Sequence, residues 1–360
     1  MSPVMNDLVQ HGGEIPGPHD LSREYPWDTA ESLIIATHLL DAAREFRELA
    51  ILRVKGWNNP KGDTFFRKQR RRADESSDKT AAFFYRLMKN IGQGLHKECQ
   101  AFTVLATPGN IPSILDWCMA PGGFLAVALR HNPDARALAF SLPEEQGGHR
   151  VLLPDSIKVE RRLLDITLLA EDMGCETICR DHPDGLICDG ATLRNHIQDP
   201  NKKDCEARRL TTTQLALGLE HVEPGGTMVI LLHKVEAWDT VTILNRFNKF
   251  SNIKLCKPKR GHQTRSSFYL IATNIETQHP EALAAIEQWK AIWRVLTFEP
   301  EDCHARVIHE SELSPEQLLD EFGSDLVDLG RCVWKVQAEA LAKAPFTQSK
   351  KDPTRGSKPA

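Results

Sequence analysis

The chain has 360 residues, 41% of them hydrophobic, enough to bury a sizeable core in one large domain with additions or in two modest ones. Lysine and arginine number 45 against 49 acids, a formal net charge of −4, which excludes a uniformly basic surface and confines any nucleic-acid contact to local patches. Nine scattered cysteines without a Cys-x-x-Cys pair fit a reduced protein of the cytoplasm or nucleus, with no metal site expected. No apolar run reaches the ~18 residues of a membrane span, and the Met1 end, rich in Pro, Gly and His, does not read as a cleavable leader.

From the N-terminus, residues 1–28 carry Gly12, Gly13, Pro16, Pro18 and Pro26 with few apolar neighbours and are expected to form a mobile tail. A helical region should fill 29–100. Leu33, Ile34, Ala36, Leu39, Leu40, Ala43, Phe46, Leu49 and Leu52 recur near three- and four-residue spacing, which predicts a packing helix from about Thr29 to Leu52 capped by Asp28. A second helix should run from about Asp78 to Cys99. Between them, Phe65, Phe66 and the run Arg67 to Arg72 suit RNA binding, a nuclear import signal or a solvated helix end.

The core is expected over 101–275. Strand-like runs at Ser113 to Trp117, Ala137 to Leu142, Val159 to Ile166, Gly185 to Cys188, Thr227 to Leu232, Ile253 to Cys256 and Phe268 to Ala272 alternate with helical or polar stretches, the pattern of an α/β chain. Helices from Pro280 to Leu296 and from Pro315 to Lys343, the latter capped by Ser314, should cover this core over 276–345. Residues 346–360, with Lys350, Lys351, Arg355 and Lys358, should form a disordered basic tail.

The most informative stretch is Asp116-Trp117-Cys118-Met119-Ala120-Pro121-Gly122-Gly123-Phe124, in which a buried strand ends in an acid and turns through Pro-Gly-Gly into an apolar helix. Glycines there allow a sharp bend and a close ligand, although Gly-Gly also occurs in ordinary tight loops. Three strand runs end in Ser141, Asp165 and Asp189, at the carboxyl edge where doubly wound sheets bind ligands. The glycine spacing is not the Gly-x-Gly-x-x-Gly of dinucleotide enzymes, which makes a nicotinamide oxidoreductase a poor fit.

These residues resemble the FtsJ-like ribose 2′-O-methyltransferases over roughly Ser113 to Asn274. Asp116 to Phe124 is similar to the family's Asp-Leu-Gly-Ala-Ala-Pro-Gly-Gly-Trp motif, and Leu186 to Ala191 to its strand ending in Asp-Gly. Glu223 to Ile230 is similar to the turn before its fifth strand, and Lys257-Pro258 with Arg265 to Leu270 to its last hairpin. The resemblance implies a Rossmann-like sheet of seven strands, mostly parallel with the last antiparallel, carrying helical N- and C-terminal additions. It implies S-adenosylmethionine as cofactor, held by Asp116, Cys118, Ala120, Pro121, Gly122, Gly123, Phe124, Leu142, Asp165 and Asp189, and RNA as partner. Asp116 would accept from the ammonium and Asp165 from the adenine amino group. With Ser141-Leu142-Pro143 in place of a ribose-binding acid, ribose contacts would fall to backbone groups near Leu142.

The family's catalytic tetrad is Lys-Asp-Lys-Glu. Asp189 matches its aspartate. The first lysine falls on Arg86 or on Lys89, and a guanidinium is a poor proton acceptor, which favours Lys89. The second falls on Leu231; His233 shares that face of the strand, while Lys234 reaches it only if a bulge or the strand's end resets the alternation, so both stay open. At the fourth position Ser267 replaces the glutamate. Lys254, Lys257, Lys259, Arg260, His262 and Arg265 crowd the turn before the last strand, and Lys257, Arg260, Arg265 and Ser267 are expected at the substrate. A catalytically degenerate cofactor-binding scaffold, or a methyltransferase for a substrate other than RNA, is the alternative that Leu231 and Ser267 favour.

Overall fold

The structure, a computed structural model, describes residues 29–74, 77–104, 111–175, 200–299 and 313–348. The expected tail at 1–28, the basic residues after 348, the expected strand Gly185 to Cys188 and Asp189 lie outside them.

Helices alternate with two three-stranded sheets among the described residues. Helices α1 (Ala30–Ala42) and α2 (Arg44–Trp57) replace the single predicted helix. The chain breaks at Ala43, whose backbone is extended, and Arg47 donates to the Leu40 and Asp41 carbonyls that the break leaves open. Thr29, not Asp28, is the cap, its side chain accepting from Ser32 N–H at 3.1 Å. Then come α3 (Pro60–Asp74) and α4 (Asp78–Cys99), the latter where predicted and capped by Ser77.

Strands β1 (Ser113–Asp116), β2 (Arg136–Ser141) and β3 (Val159–Leu163) form a parallel sheet in that order, with α5 (Gly123–His131) as the crossover between the first two. After α6 (Pro200–His221), β4 (Met228–His233), α7 (Trp238–Phe250), β5 (Asn252–Cys256) and β6 (Ser267–Thr273) make a second sheet ordered β4-β6-β5, with β6 antiparallel to both neighbours. The α/β class and the antiparallel last strand are as expected. The seven-stranded sheet is corrected among the described residues to two sheets of three strands, because the strand expected fourth lies in the undescribed segment.

Helices α8 (Pro280–Phe298) and α9 (Pro315–Leu341) follow, and Ser314 forms a capping box with Gln317 on α9. They build the main core rather than merely cover it. Ile35, Leu39, Phe46 and Leu49 of α1 and α2 share one buried cluster with Phe247, Leu270, Trp293, Phe322 and Trp334. Phe346, expected in the disordered tail, is buried against Phe65 and Phe66, so the folded chain runs past the predicted boundary.

Three polar ties brace this assembly. Ser32 Oγ accepts from Trp238 N–H at 3.0 Å, capping α7 from α1. Trp293 Nε1 donates to Thr167 O at 2.9 Å, joining α8 to the turn after β3. Buried Arg53 of α2 pairs with Glu236 at 2.5 Å and donates to Gln337 of α9 at 3.0 Å. Cys99 and Cys256 face each other where α4 meets β5, but their Cα atoms are 8.0 Å apart. That span exceeds the ~7 Å a disulfide bridges without backbone movement, so the two are sulfurs in contact.

Candidate functional site

The elbow between β1 and α5 is built as a tight turn. Gly122 has a φ of +100°, which a side chain resists, and a Cβ there would stand 2.9 Å from that of Leu153. A Cβ on Gly123 would stand 2.6 Å from Met88 Cβ and from the Tyr85 carbonyl oxygen. Both glycines therefore let protein pack closely on the side a Cβ would occupy, α4 against Gly123 and the loop after β2 against Gly122. The Phe124 ring meets Tyr269 at 5.6 Å and Phe102 at 6.2 Å, within the small apolar cluster under α4.

Open space lies beside the elbow. A cavity of about 450 Å³ is lined by Ser77, Asp78, Thr80, Phe84 and Met88 of α4 and its cap, by Ala120 and Pro121 of the elbow, and by Glu144, His149 and Arg150 of the loop after β2. Its volume falls in the ~300–1,000 Å³ range of small-ligand sites. Phe84, Met88 and Pro121 give it an apolar wall, while Arg150 and Asp78, paired at 2.7 Å, place both signs of charge on it. Sequence reasoning missed these α4 and loop residues, which no motif marks.

Asp116 ends β1 half-buried, and one of its oxygens accepts from Cys118 N–H at 3.1 Å. Desolvation outweighs that bond and pushes its pKa up to about 6. A carboxylate so poorly compensated suits a cationic ligand group. The Cys118 thiol accepts from Gln214 at 3.1 Å and is pushed up to about 11 by burial and then by the charge of Asp116. Asp165 caps the short turn after β3, one oxygen accepting from Thr167 N–H at 2.9 Å and from its hydroxyl at 2.8 Å. Beside it Arg209, buried on α6, has an Nε with no hydrogen-bond partner among the described residues. Half-buried Leu142 has its carbonyl closed over by Gly148, where a Cβ would collide with it.

The second part of the site is the end of β4. Leu231 is 45% exposed and His233 is open on the same face, while Leu232 between them is buried, the alternation the sequence predicts. His233 lies directly across from Ser267 of β6. The strand ends at His233, and Lys234 follows at φ +48° with its N–H donating to Ser266 O at 3.2 Å. Although its outer edge is open, neighbouring atoms desolvate the ring, and with the charges of Lys257, Arg265 and Lys234 they push the His233 pKa down, favouring the neutral imidazole. On α4, the Lys89 ammonium lies 5.4 Å from the centre of the Tyr85 ring, one helical turn away, and its backbone nitrogen presses on the elbow; Arg86 is exposed.

Two residues expected at the substrate are buried in hydrogen bonds of the hairpin. Lys257 is only 6% exposed, and its ammonium donates to the carbonyls of Arg265 and Ser267, tying the β5–β6 connection instead of facing solvent. Burial and then the Arg53 guanidinium push its pKa down to about 7. Ser267 is 1% exposed, and its hydroxyl meets His262 Nδ1 at 2.5 Å. Burial followed by Lys257 and Arg265 pushes His262 down to about 4, so this ring too is neutral. Arg265 donates to Gln69 of α3 at 3.0 Å, and Arg260 is exposed.

Among the described residues no three His, Cys, Asp or Glu side chains gather as metal ligands, and no helix is long and apolar enough to cross a membrane. A comparison with curated proteins finds no match. The profile of the FtsJ-like methyltransferases, a family generally dependent on S-adenosylmethionine, matches residues 94–275, half of the chain, which spans α4's last turn, both sheets, the elbow and the β4 rim. The chain therefore belongs to the FtsJ-like methyltransferase family.

Proposed function

We propose that the protein transfers a methyl group from S-adenosylmethionine to a ribose 2′-hydroxyl of RNA. The observation that carries this reading is the pairing, on one molecule, of a desolvated Asp116 carboxylate and an elbow-side cavity with a neutral His233 at the end of β4. The strand orders β1-β2-β3 and β4-β6-β5 support it, since a doubly wound sheet runs outward both ways from its switch point and binds ligands there.

In this reading Asp116 binds the ammonium, and Phe84, Met88 and Pro121 exclude water from the methionine part. Asp165 keeps one oxygen for the adenine amino group, the other being held by Thr167. When bound, the cofactor supplies an electrophilic methyl on a cationic sulfur. The proton of the ribose hydroxyl passes to the ring nitrogen of His233, for which a neutral imidazole is required. Lys234, beside His233, and Lys89, at the elbow, offer positive charge to the developing oxyanion, and Asp189 completes the set. Lys257 and Ser267 act beneath the rim, fixing the hairpin that faces His233.

Calorimetry should show S-adenosylmethionine binding at micromolar affinity that weakens in Asp116→Ala, and tritiated methyl groups should pass to RNA and stop in Asp189→Ala. Transfer that persists without Asp189 would exclude this mechanism. A second reading, cofactor binding without transfer, is favoured by the apolar Leu231 at the position of the family's second lysine; heat without methylated RNA would establish it.

A further inference from the structure

Helix α3 lies outside the family-matched segment, and its two sides differ in kind. Phe65 and Phe66 meet the buried Phe346 ring at 5.1 and 5.6 Å, anchoring one side in the core. On the other, Lys61, Arg67, Lys68 and Arg71 are exposed, and their three-, four- and seven-residue spacing puts them on one stripe. Asp63 is the sole acid from Pro60 to Ala73.

The β5–β6 connection is also basic. Lys259 and Arg260 are exposed, and no acid occurs from Asn252 to Asn274. The two segments touch where Arg265 donates to Gln69 at 3.0 Å, and the connection is held separately to α4, where a Cβ on Gly261 would stand 3.0 Å from the methyl groups of Leu87. In a chain of net charge −4 these are two cation-rich segments joined at Gln69, one turn from Phe65 and beside the edge of the stripe that carries Lys61 and Lys68.

We propose that α3 and the β5–β6 connection form one continuous surface for the phosphates of an RNA strand, leading it to the His233 rim. RNA fits better than an acidic protein because the surface runs through Arg265 into the rim that needs a ribose hydroxyl, a choice that rests on the function proposed above. The N-terminal addition thereby supplies half of the substrate grip.

The test is fluorescence anisotropy of a labelled oligoribonucleotide with the full chain across a salt series, for the native protein and for the doubles R67E/K68E and K259E/R260E. Single-stranded phosphate contacts each contribute about 0.7 to the slope of log Kd against log salt, so each double should lower the slope by about 1.4 with melting temperature unchanged. Equal slopes in all three proteins, or no RNA binding by the native chain at low salt, would overturn the surface. Competition by polyglutamate as strong as by unlabelled RNA would overturn RNA as its occupant. Native methyl transfer to RNA with unchanged slopes would refute this surface alone; slopes lowered as expected without any transfer would refute the methyltransferase reading and leave the surface standing.

Discussion

Asp116 shows how one side chain couples binding to pH. Its folded pKa of about 6 lies above the ordinary 3.8, so the folded chain holds this proton more tightly than the unfolded one. Its contribution to stability therefore declines as pH rises from about 4 to about 6, and the charged carboxylate is a burden at pH 7. A bound ammonium relieves that burden. Affinity for S-adenosylmethionine should be flat above about pH 6 and fall by up to about tenfold per pH unit below it, as calorimetry at pH 5 and 7.5 would show. Asp116→Asn should lose this dependence and bind about tenfold more weakly, yet melt higher, with a gain of about 1 kcal/mol at pH 7 after discounting for partial exposure. Lys257 runs the other way. A lysine pushed down to about 7 binds its proton less tightly when folded, so stability should rise as pH climbs from about 7 towards 10, by at least about 1 kcal/mol. Urea midpoints at pH 7 and 9 should separate for the native chain and converge for Lys257→Met. The sequence reveals that Lys257 is basic; it does not reveal that a turn folds over the ammonium and supplies it with carbonyls, because that depends on residues eight and ten positions away.

At the scale of elements, α4 is the piece that turns a glycine motif into a cavity. Gly123→Ala would drive a methyl into Met88 and the Tyr85 carbonyl, and backbone cannot step aside as a flexible side chain does. A loss of about 2 kcal/mol is expected in chemical denaturation, together with weaker cofactor binding as Lys89 and Phe84 shift. At the end of β4 Leu231 and His233 are exposed on either side of buried Leu232, which strand geometry alone predicts, and six strands were placed to within a residue or three by their apolar runs. The break at Ala43 was not readable: it depends on Arg47 reaching back to two carbonyls, while the apolar period continues across it. Equally hidden was the role of the glycine pair. The Pro-Gly-Gly spacing announces a tight elbow, but whether a ligand or a neighbouring helix fills the space is decided by α4, some forty positions earlier.

The whole molecule does not divide where the family match does. Residues 94–275 carry the strands, but their buried face is shared with α1, α2, α8 and α9 through Leu39, Phe46, Trp293 and Trp334. A fragment limited to 94–275 should therefore be a poorly packed species that binds hydrophobic dye and lacks a cooperative melt. Arg53→Ala should be nearly as damaging, at about 3–5 kcal/mol, since it leaves the 1%-exposed Glu236 beside the β4 rim without its guanidinium. Thermal melts of that variant against Arg53→Lys would show whether charge alone suffices. The same clamp reaches from residue 53 to residue 337 across 284 positions of chain. While the protein is being synthesised, Arg53 must wait for the 284 residues that separate it from Gln337 before its second partner exists, so a nascent chain that stops short of α9 holds every strand described here without this clamp.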